Sequence, residues 1–330
     1  MPYKDILVTG ATGFVGSHLL DYLLEVEPDT IIHGLRRPNA DMKNVQHIAD
    51  CVEWITGDLC DATSMMRVVN DSCPCQVYHL GALSWVSPSW DMPAAYMQTN
   101  AIGTINLLNA IEELTYVGTR VLVSCTPEEY GDADFRDGPL TEKTLLSPCN
   151  PYAASKVAQD AVCQVYHKSY GTDIVRTRAF NHEGPRRNAN GAIASFARQI
   201  ARIELGRSED NIVRHGNLTA RRNFTHVADM VRAYHLAMNY GESGELYLVG
   251  SENVCTMQEC LDKLVSMSAM KDAISTKLVD YLVRPTELNY LVGDYTKFRQ
   301  LTGWTSEHDL DDILHDVLEY WRDRVAKGND

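Results

Sequence analysis

Tyr152-Ala153-Ala154-Ser155-Lys156 sets a phenol and an ammonium four residues apart. On a helix that spacing puts both groups on one face. A neighbouring ammonium favours the phenolate and lowers the tyrosine pKa. The pair therefore points to a base that takes a proton from an alcohol near neutral pH. Far upstream, Gly10-Ala11-Thr12-Gly13-Phe14-Val15-Gly16 follows the apolar run Ile6-Leu7-Val8 and opens a helical pattern. Glycine suits a tight turn, a backbone that must approach a pyrophosphate, and a close helix–strand packing, while the helix N-terminus offers unpaired N–H groups to the anion. In this strand–turn–helix context the segment predicts a dinucleotide site, with Gly10, Thr12, Gly13, Phe14, Val15 and Gly16 around the cofactor.

The end of the second strand selects between dinucleotides. His33-Gly34-Leu35-Arg36-Arg37 has no acidic residue to meet a ribose diol, whereas the Arg36 guanidinium can pair with a 2′-phosphate, which predicts NADP. A solvated basic corner is the alternative. Gly57-Asp58-Leu59 ends the third strand and Leu80-Gly81-Ala82-Leu83-Ser84 the fourth. Asp58 could accept from the adenine amine, and Leu59, Leu80, Ala82 and Ser84 lie where adenine and nicotinamide would run.

These side chains need a frame, and the hydrophobic pattern describes one. Apolar runs at Ile6 to Val8, Ile31 to Ile32, Val52 to Ile55, Gln76 to Leu80, Arg120 to Val123 and Asp173 to Arg178 alternate with helical patterns at 14–24, 62–71, 100–114 and 152–170. Alternating β and α units predict an α/β fold, a Rossmann-type doubly wound parallel sheet with helices on both faces. Beyond about residue 180 the polar stretch Pro185 to Gly191 precedes a helix at 192–205, and the runs shorten. We expect residues 1–180 to form the NADP-binding domain, with later segments returning to it. Residues 181–330 would mainly form a smaller lobe closing over the strand ends. A last helix is expected at 310–326.

Composition limits the partners. Among 330 residues, 30 Lys+Arg stand against 44 Asp+Glu, a formal charge of −14, which argues against a nucleic-acid partner. No run of about 18 apolar residues suggests a membrane span, and the first residues carry no signal-peptide pattern. Nine scattered cysteines read as reduced thiols, mostly buried as small hydrophobes, in a cytoplasmic protein. No metal site is expected.

Ser124-Cys125-Thr126 followed by Glu128, then Tyr130-Gly131 and Tyr-x-x-x-Lys, resembles the extended short-chain dehydrogenase/reductase family over nearly the whole chain. In its sugar-nucleotide branch the resemblance implies that Thr126 hydrogen-bonds the sugar O4, Tyr152 is the base and Lys156 holds the nicotinamide ribose. Glu128 would be the second base that a 4,6-dehydratase needs at C5. Arg178 to Arg187, Gly216-Asn217-Leu218, Arg221 to Thr225, Arg284-Pro285-Thr286-Glu287 and Val292-Gly293-Asp294 are similar to the GDP-mannose 4,6-dehydratase family and its related 4-keto reductases. By that likeness His182 and Arg187 approach the cofactor. Ser84, Asn181, Arg222, Arg284 and Glu287 would hold a GDP-sugar substrate. Pro127 and Glu129 lean toward the reductases, and Arg186-Arg187 with Gly293-Asp294 toward the dehydratases. Ala95 stands where the dehydratase pattern has a cofactor-facing tyrosine. The wider family implies a homodimer through the helices at 100–114 and 152–170. The segment after Arg37 is short for the loop that builds a homotetramer.

Overall fold

The computed structural model describes residues 4–114, 118–132, 134, 138–283 and 285–329. The six predicted apolar runs are parallel strands: β1 (Asp5–Thr9), β2 (Ile31–Arg36), β3 (Glu53–Thr56), β4 (Gln76–His79), β5 (Arg120–Cys125) and β6 (Asp173–Ala179). Their order across the sheet is β6-β5-β4-β1-β2-β3, and every neighbouring pair is parallel. The reversal between β1 and β4 opens a crevice at the strand ends, where such sheets take ligands.

Helix α1 (Phe14–Val26) buries Leu19, Leu20 and Leu23 against one face of the sheet. On the opposite face lie α2 (Ala62–Ser72), then two short turns, α3 (Val86–Ser89) and α4 (Pro93–Tyr96), followed by α5 (Gly103–Leu114) and α6 (Pro151–Tyr170). Helix α6 starts where Asn150 accepts from the Ala153 N–H and Pro151 takes the first helical position. It stops at Gly171 in the left-handed region.

The later chain includes β7 (His182–Glu183), α7 (Ala192–Glu204), β8 (Ile212–His215), β9 (Arg221–Asn223), β10 (Thr225–His226) and α8 (Val227–Tyr240), the last packed beside α1. It then runs through β11 (Leu246–Val249), β12 (Val254–Thr256), α9 (Met257–Ser266), β13 (Ser275–Leu278), β14 (Tyr290–Leu291), α10 (Thr296–Thr302) and α11 (Leu310–Ala326). Ile200 of α7, Leu261 and Leu264 of α9, and Leu314 and Val317 of α11 bury one another in a separate core beside the cleft.

Three features depart from the sequence reading. Strand β11 extends the sheet as a seventh strand beside β6. Its four residues are buried on both faces, so they show no alternation to mark them. The helix expected from Asn100 begins as a π-helical turn, Met97–Ile102, before regular helix from Gly103. Only four cysteines, Cys125, Cys163, Cys255 and Cys260, are buried, while Cys51, Cys73 and Cys75 are exposed at element ends and in a turn. Among the described residues no helix is long and apolar enough to cross a membrane.

Candidate active site

A cleft of about 870 Å³ lies between the C-terminal ends of the strands and the α7 lobe. Its floor is the glycine turn. Gly10 sits at φ +70°, and Gly13 N donates to Gly10 O at 3.0 Å. A Cβ at Gly16 would come within 2.1 Å of Gly10 O, and one at Gly10 within 2.9 Å of the Leu80–Gly81 backbone. The backbone is thus bare where α1 begins, a cradle that fits a pyrophosphate. Thr12, Phe14, Val15, Asp58, Leu59, Leu80, Ala82 and Ser84 line the same cleft. Asp58 uses Oδ1 to accept from Cys60 N at 2.9 Å.

The two arginines at the end of the second strand are placed differently. Arg37, just past the last residue of β2, lines the cleft, and Arg36 does not.

On the far wall, Thr126 caps a 3₁₀ turn, Pro127–Tyr130. Its Oγ1 accepts from Glu128 N at 3.3 Å, and its hydroxyl hydrogen-bonds the Tyr152 phenol. Glu128 is 9% exposed, and its Oε2 accepts from Asn150 Nδ2 at 2.9 Å. Asn150 therefore couples the Glu128 carboxylate to the start of the helix that carries Tyr152 and Lys156. Neighbouring Glu129 points inward, accepting from Thr126 N at 3.0 Å and from Arg178 Nε at 2.7 Å. Arg178 in turn donates to Asp160 Oδ2 at 2.6 Å and Tyr130 OH at 2.7 Å. Burial pushes the Glu129 carboxyl up while the Arg178 guanidinium pulls it down. Two adjacent glutamates thus have opposite roles, one facing the cleft and one anchoring the turn from behind.

Burial pushes the Tyr152 phenol well above its ordinary range, the Thr126 hydrogen bond pulls it down, and Glu128 raises it further. This corrects the expectation of a phenol lowered by Lys156. The lysine gives its protons to Ser124 O at 2.6 Å and to Gln159 Oε1, and its own pKa is lowered by burial.

The lobe side holds the remaining candidates. His182 Nδ1 donates to Phe180 O at 2.9 Å and the ring stacks on Phe14 with centroids 5.9 Å apart. Burial, then Arg187, brings its pKa down to about 4. The Arg187 guanidinium lies 5.1 Å from the Phe14 ring centroid and 4.8 Å from that of Trp85. Asn181 Oδ1 and Glu183 Oε2 are buried without a hydrogen-bond partner. Arg222 donates to Arg221 O at 2.8 Å and to Leu288 O. Asn181, Arg222 and Glu287 all line the cleft, while Arg284 falls outside the described residues.

With this geometry in place, comparison with known proteins is informative. A family model described as GDP-mannose 4,6 dehydratase matches residues 7–317. The chain is 30% identical over 328 residues to GDP-6-deoxy-D-mannose reductase of Pseudomonas aeruginosa, covering 98% of this chain and 99% of that one. The chain belongs to the GDP-mannose 4,6-dehydratase family. It is also 29% identical to GDP-mannose 4,6 dehydratase of Cricetulus griseus, covering 96% of this chain and 91% of that one. The structure of RMD from Pseudomonas aeruginosa complexed with NADPH is similar at a TM-score of 0.79, with 27% identity over 97% of this chain and all of that one.

Within the GDP-mannose 4,6-dehydratase family pattern, Ala95 is exposed, and it is Tyr96 that is buried edge-on to Tyr152 with centroids 6.2 Å apart. Tyr96 OH donates to Trp85 O. Nothing in the sequence marks Trp85 or Gln159. Asn150 was legible in principle, since Asn before Pro is a helix-start signal.

Proposed function

We propose that this member of the family is a GDP-mannose 4,6-dehydratase that works through NADP, yielding GDP-4-keto-6-deoxy-mannose and water. The observation that carries the reading is Glu128, a cleft-lining carboxylate held by Asn150 beside the Thr126–Tyr152 pair. A reductase needs one proton donor, whereas a dehydratase needs a second base.

The bare glycine turn and Arg37 suit a dinucleotide with a 2′-phosphate, and Arg37→Ala should weaken NADP more than NAD. The chemistry a bound NADP supplies is reversible hydride transfer. Tyr152 takes the O4 proton as C4 is oxidised, and Thr126 hydrogen-bonds the same hydroxyl. Lys156, on the same face of the helix, would hold the nicotinamide ribose. The resulting 4-keto group acidifies C5–H; Glu128 removes that proton and passes it to the C6 hydroxyl, which leaves as water. Tyr152 returns the O4 proton to C5 as the reversed hydride transfer reduces C6. On the lobe side, Asn181, Arg222 and Glu287 would hold the GDP moiety, with guanidinium for pyrophosphate and carboxylate for ribose.

A second reading has its own support. The chain matches the reductase relative from end to end, 98% against 99%, and its Glu128-Glu129-Tyr130-Gly131 string is more like that of the reductases. One experiment separates the two. The protein is incubated with GDP-mannose without added cofactor and the products are weighed by mass spectrometry. Loss of one water without net NADPH change is the expected result, and Glu128→Gln should remove it. Silence toward GDP-mannose, with NADPH oxidation once the 4-keto-6-deoxy sugar is supplied, would make the protein the reductase.

A further inference from the structure

Beneath the cleft a buried polar chain leads from Lys156 back to the glycine turn, and its middle members do not line the cleft. Lys156 Nζ donates to Gln159 Oε1. Gln159 Nε2 donates to Thr104 Oγ1 at 2.9 Å, and His79 Nε2 lies 2.8 Å from that same oxygen. His79 Nδ1 lies 2.8 Å from Thr9 Oγ1, which accepts from Gly81 N at 3.0 Å. Thr9, His79, Thr104 and Gln159 are each at most 1% exposed.

The protons along this chain follow by exclusion. Thr104 donates its one hydroxyl proton to Asn100 O at 2.6 Å, so its oxygen can only accept from the two other partners. His79 must therefore carry its proton on Nε2, which leaves Nδ1 to accept from the Thr9 hydroxyl. With the Gln159 nitrogen committed to Thr104, the amide oxygen has to face Lys156. Burial keeps His79 neutral, lowering its pKa to about 3, which agrees with this tautomer.

We propose that Gln159 is a positioning residue for Lys156, and that Thr104, His79 and Thr9 hold the Gln159 amide in the one orientation that accepts from the ammonium. The chain ties the lysine to the ends of β1 and β4, the same two strands that present the glycine turn and Gly81. Lysine and turn are thereby kept in register, although nearly 150 residues separate them in sequence. The inference rests on the reading that Lys156 meets the nicotinamide ribose.

The test uses ligand binding by the full chain. NADPH affinity is followed by its fluorescence, and that of 2′,5′-ADP, which carries the phosphorylated adenosine end without the nicotinamide ribose, by calorimetry. Gln159→Leu, of similar size with no acceptor, should weaken NADPH about tenfold and leave 2′,5′-ADP unchanged. His79→Leu should do the same. His79→Gln offers an amide that can donate to Thr104 and accept from Thr9, and should restore NADPH affinity. Unchanged NADPH affinity in Gln159→Leu would overturn the proposal, as would equal loss for both ligands or a His79→Gln no better than His79→Leu. Should Gln159→Leu fail to fold, Gln159→Met carries the same expectation. A wild-type protein that binds NADPH but ignores GDP-mannose would remove the substrate reading and leave this test intact.

Discussion

The two walls of the cleft are built on different terms. On the sheet side, Thr126, Glu128, Tyr152 and Lys156 are each tied to neighbours, and behind them stands the buried ion network of Glu129, Arg178, Asp160 and Arg176. On the lobe side, Asn181 Oδ1 and Glu183 Oε2 are buried with no partner, and Arg187 packs between Phe14 and Trp85 rather than in a close ion pair, its nearest carboxylate being 3.7 Å away. The difference teaches where each kind of precision is needed. Proton transfer requires groups set in place before the substrate arrives. Binding can leave polar atoms unsatisfied until the ligand completes them, which makes selectivity steep.

Four measurements sharpen or break this comparison. Tyr152→Phe removes the base from the ordered wall, and turnover should fall about 10³-fold while NADP affinity measured by titration stays within about twofold. Full activity would take Tyr152 out of the chemistry. Next, Glu129→Leu leaves the Arg178 charge buried with one partner fewer, and denaturant unfolding should show a loss of about 3 kcal/mol. A smaller effect comes from His79. Its folded pKa of about 3 lies below the unfolded value of 6.5, so the unfolded chain binds the extra proton. Its contribution is complete above pH 6.5 and is lost as pH falls. Urea melts at pH 7 and pH 5 should differ by about 2 kcal/mol from this group, and His79→Gln should remove that part. Smallest is Asn181→Ala on the open wall. Deleting an atom that has no partner should leave stability within about 0.5 kcal/mol yet weaken GDP-mannose binding about tenfold. A large stability loss there would erase the distinction between the walls.

Much of the fold was legible because it follows from periodicity. The six parallel strands and the helices at 14–26, 62–72, 151–170, 192–204 and 310–326 fall where the apolar spacing puts them. Strand β11 escaped notice because a short run buried on both faces has no alternation. Most candidate site residues converge on one cleft, since the motifs sit at strand ends, and strand ends gather at one edge of a parallel sheet. Arg36 and Arg37 could not be told apart by type; only the folded chain shows Arg37 lining the cleft.

By itself, then, the sequence determined the parallel α/β frame, the glycine turn and the Tyr-x-x-x-Lys pair, because these depend on local spacing and backbone requirements. Tertiary structure alone decided what surrounds the reactive groups. That Glu128 faces the cleft while Glu129 turns inward depends on Asn150 and Arg178, residues distant in sequence. The Tyr152 phenol is pushed up because folding removes its water, and Lys156 is held by Gln159 because helices α5 and α6 bring Thr104 within reach. Burial and hydrogen-bond direction are properties of three-dimensional neighbourhoods, and no spacing along the chain encodes them.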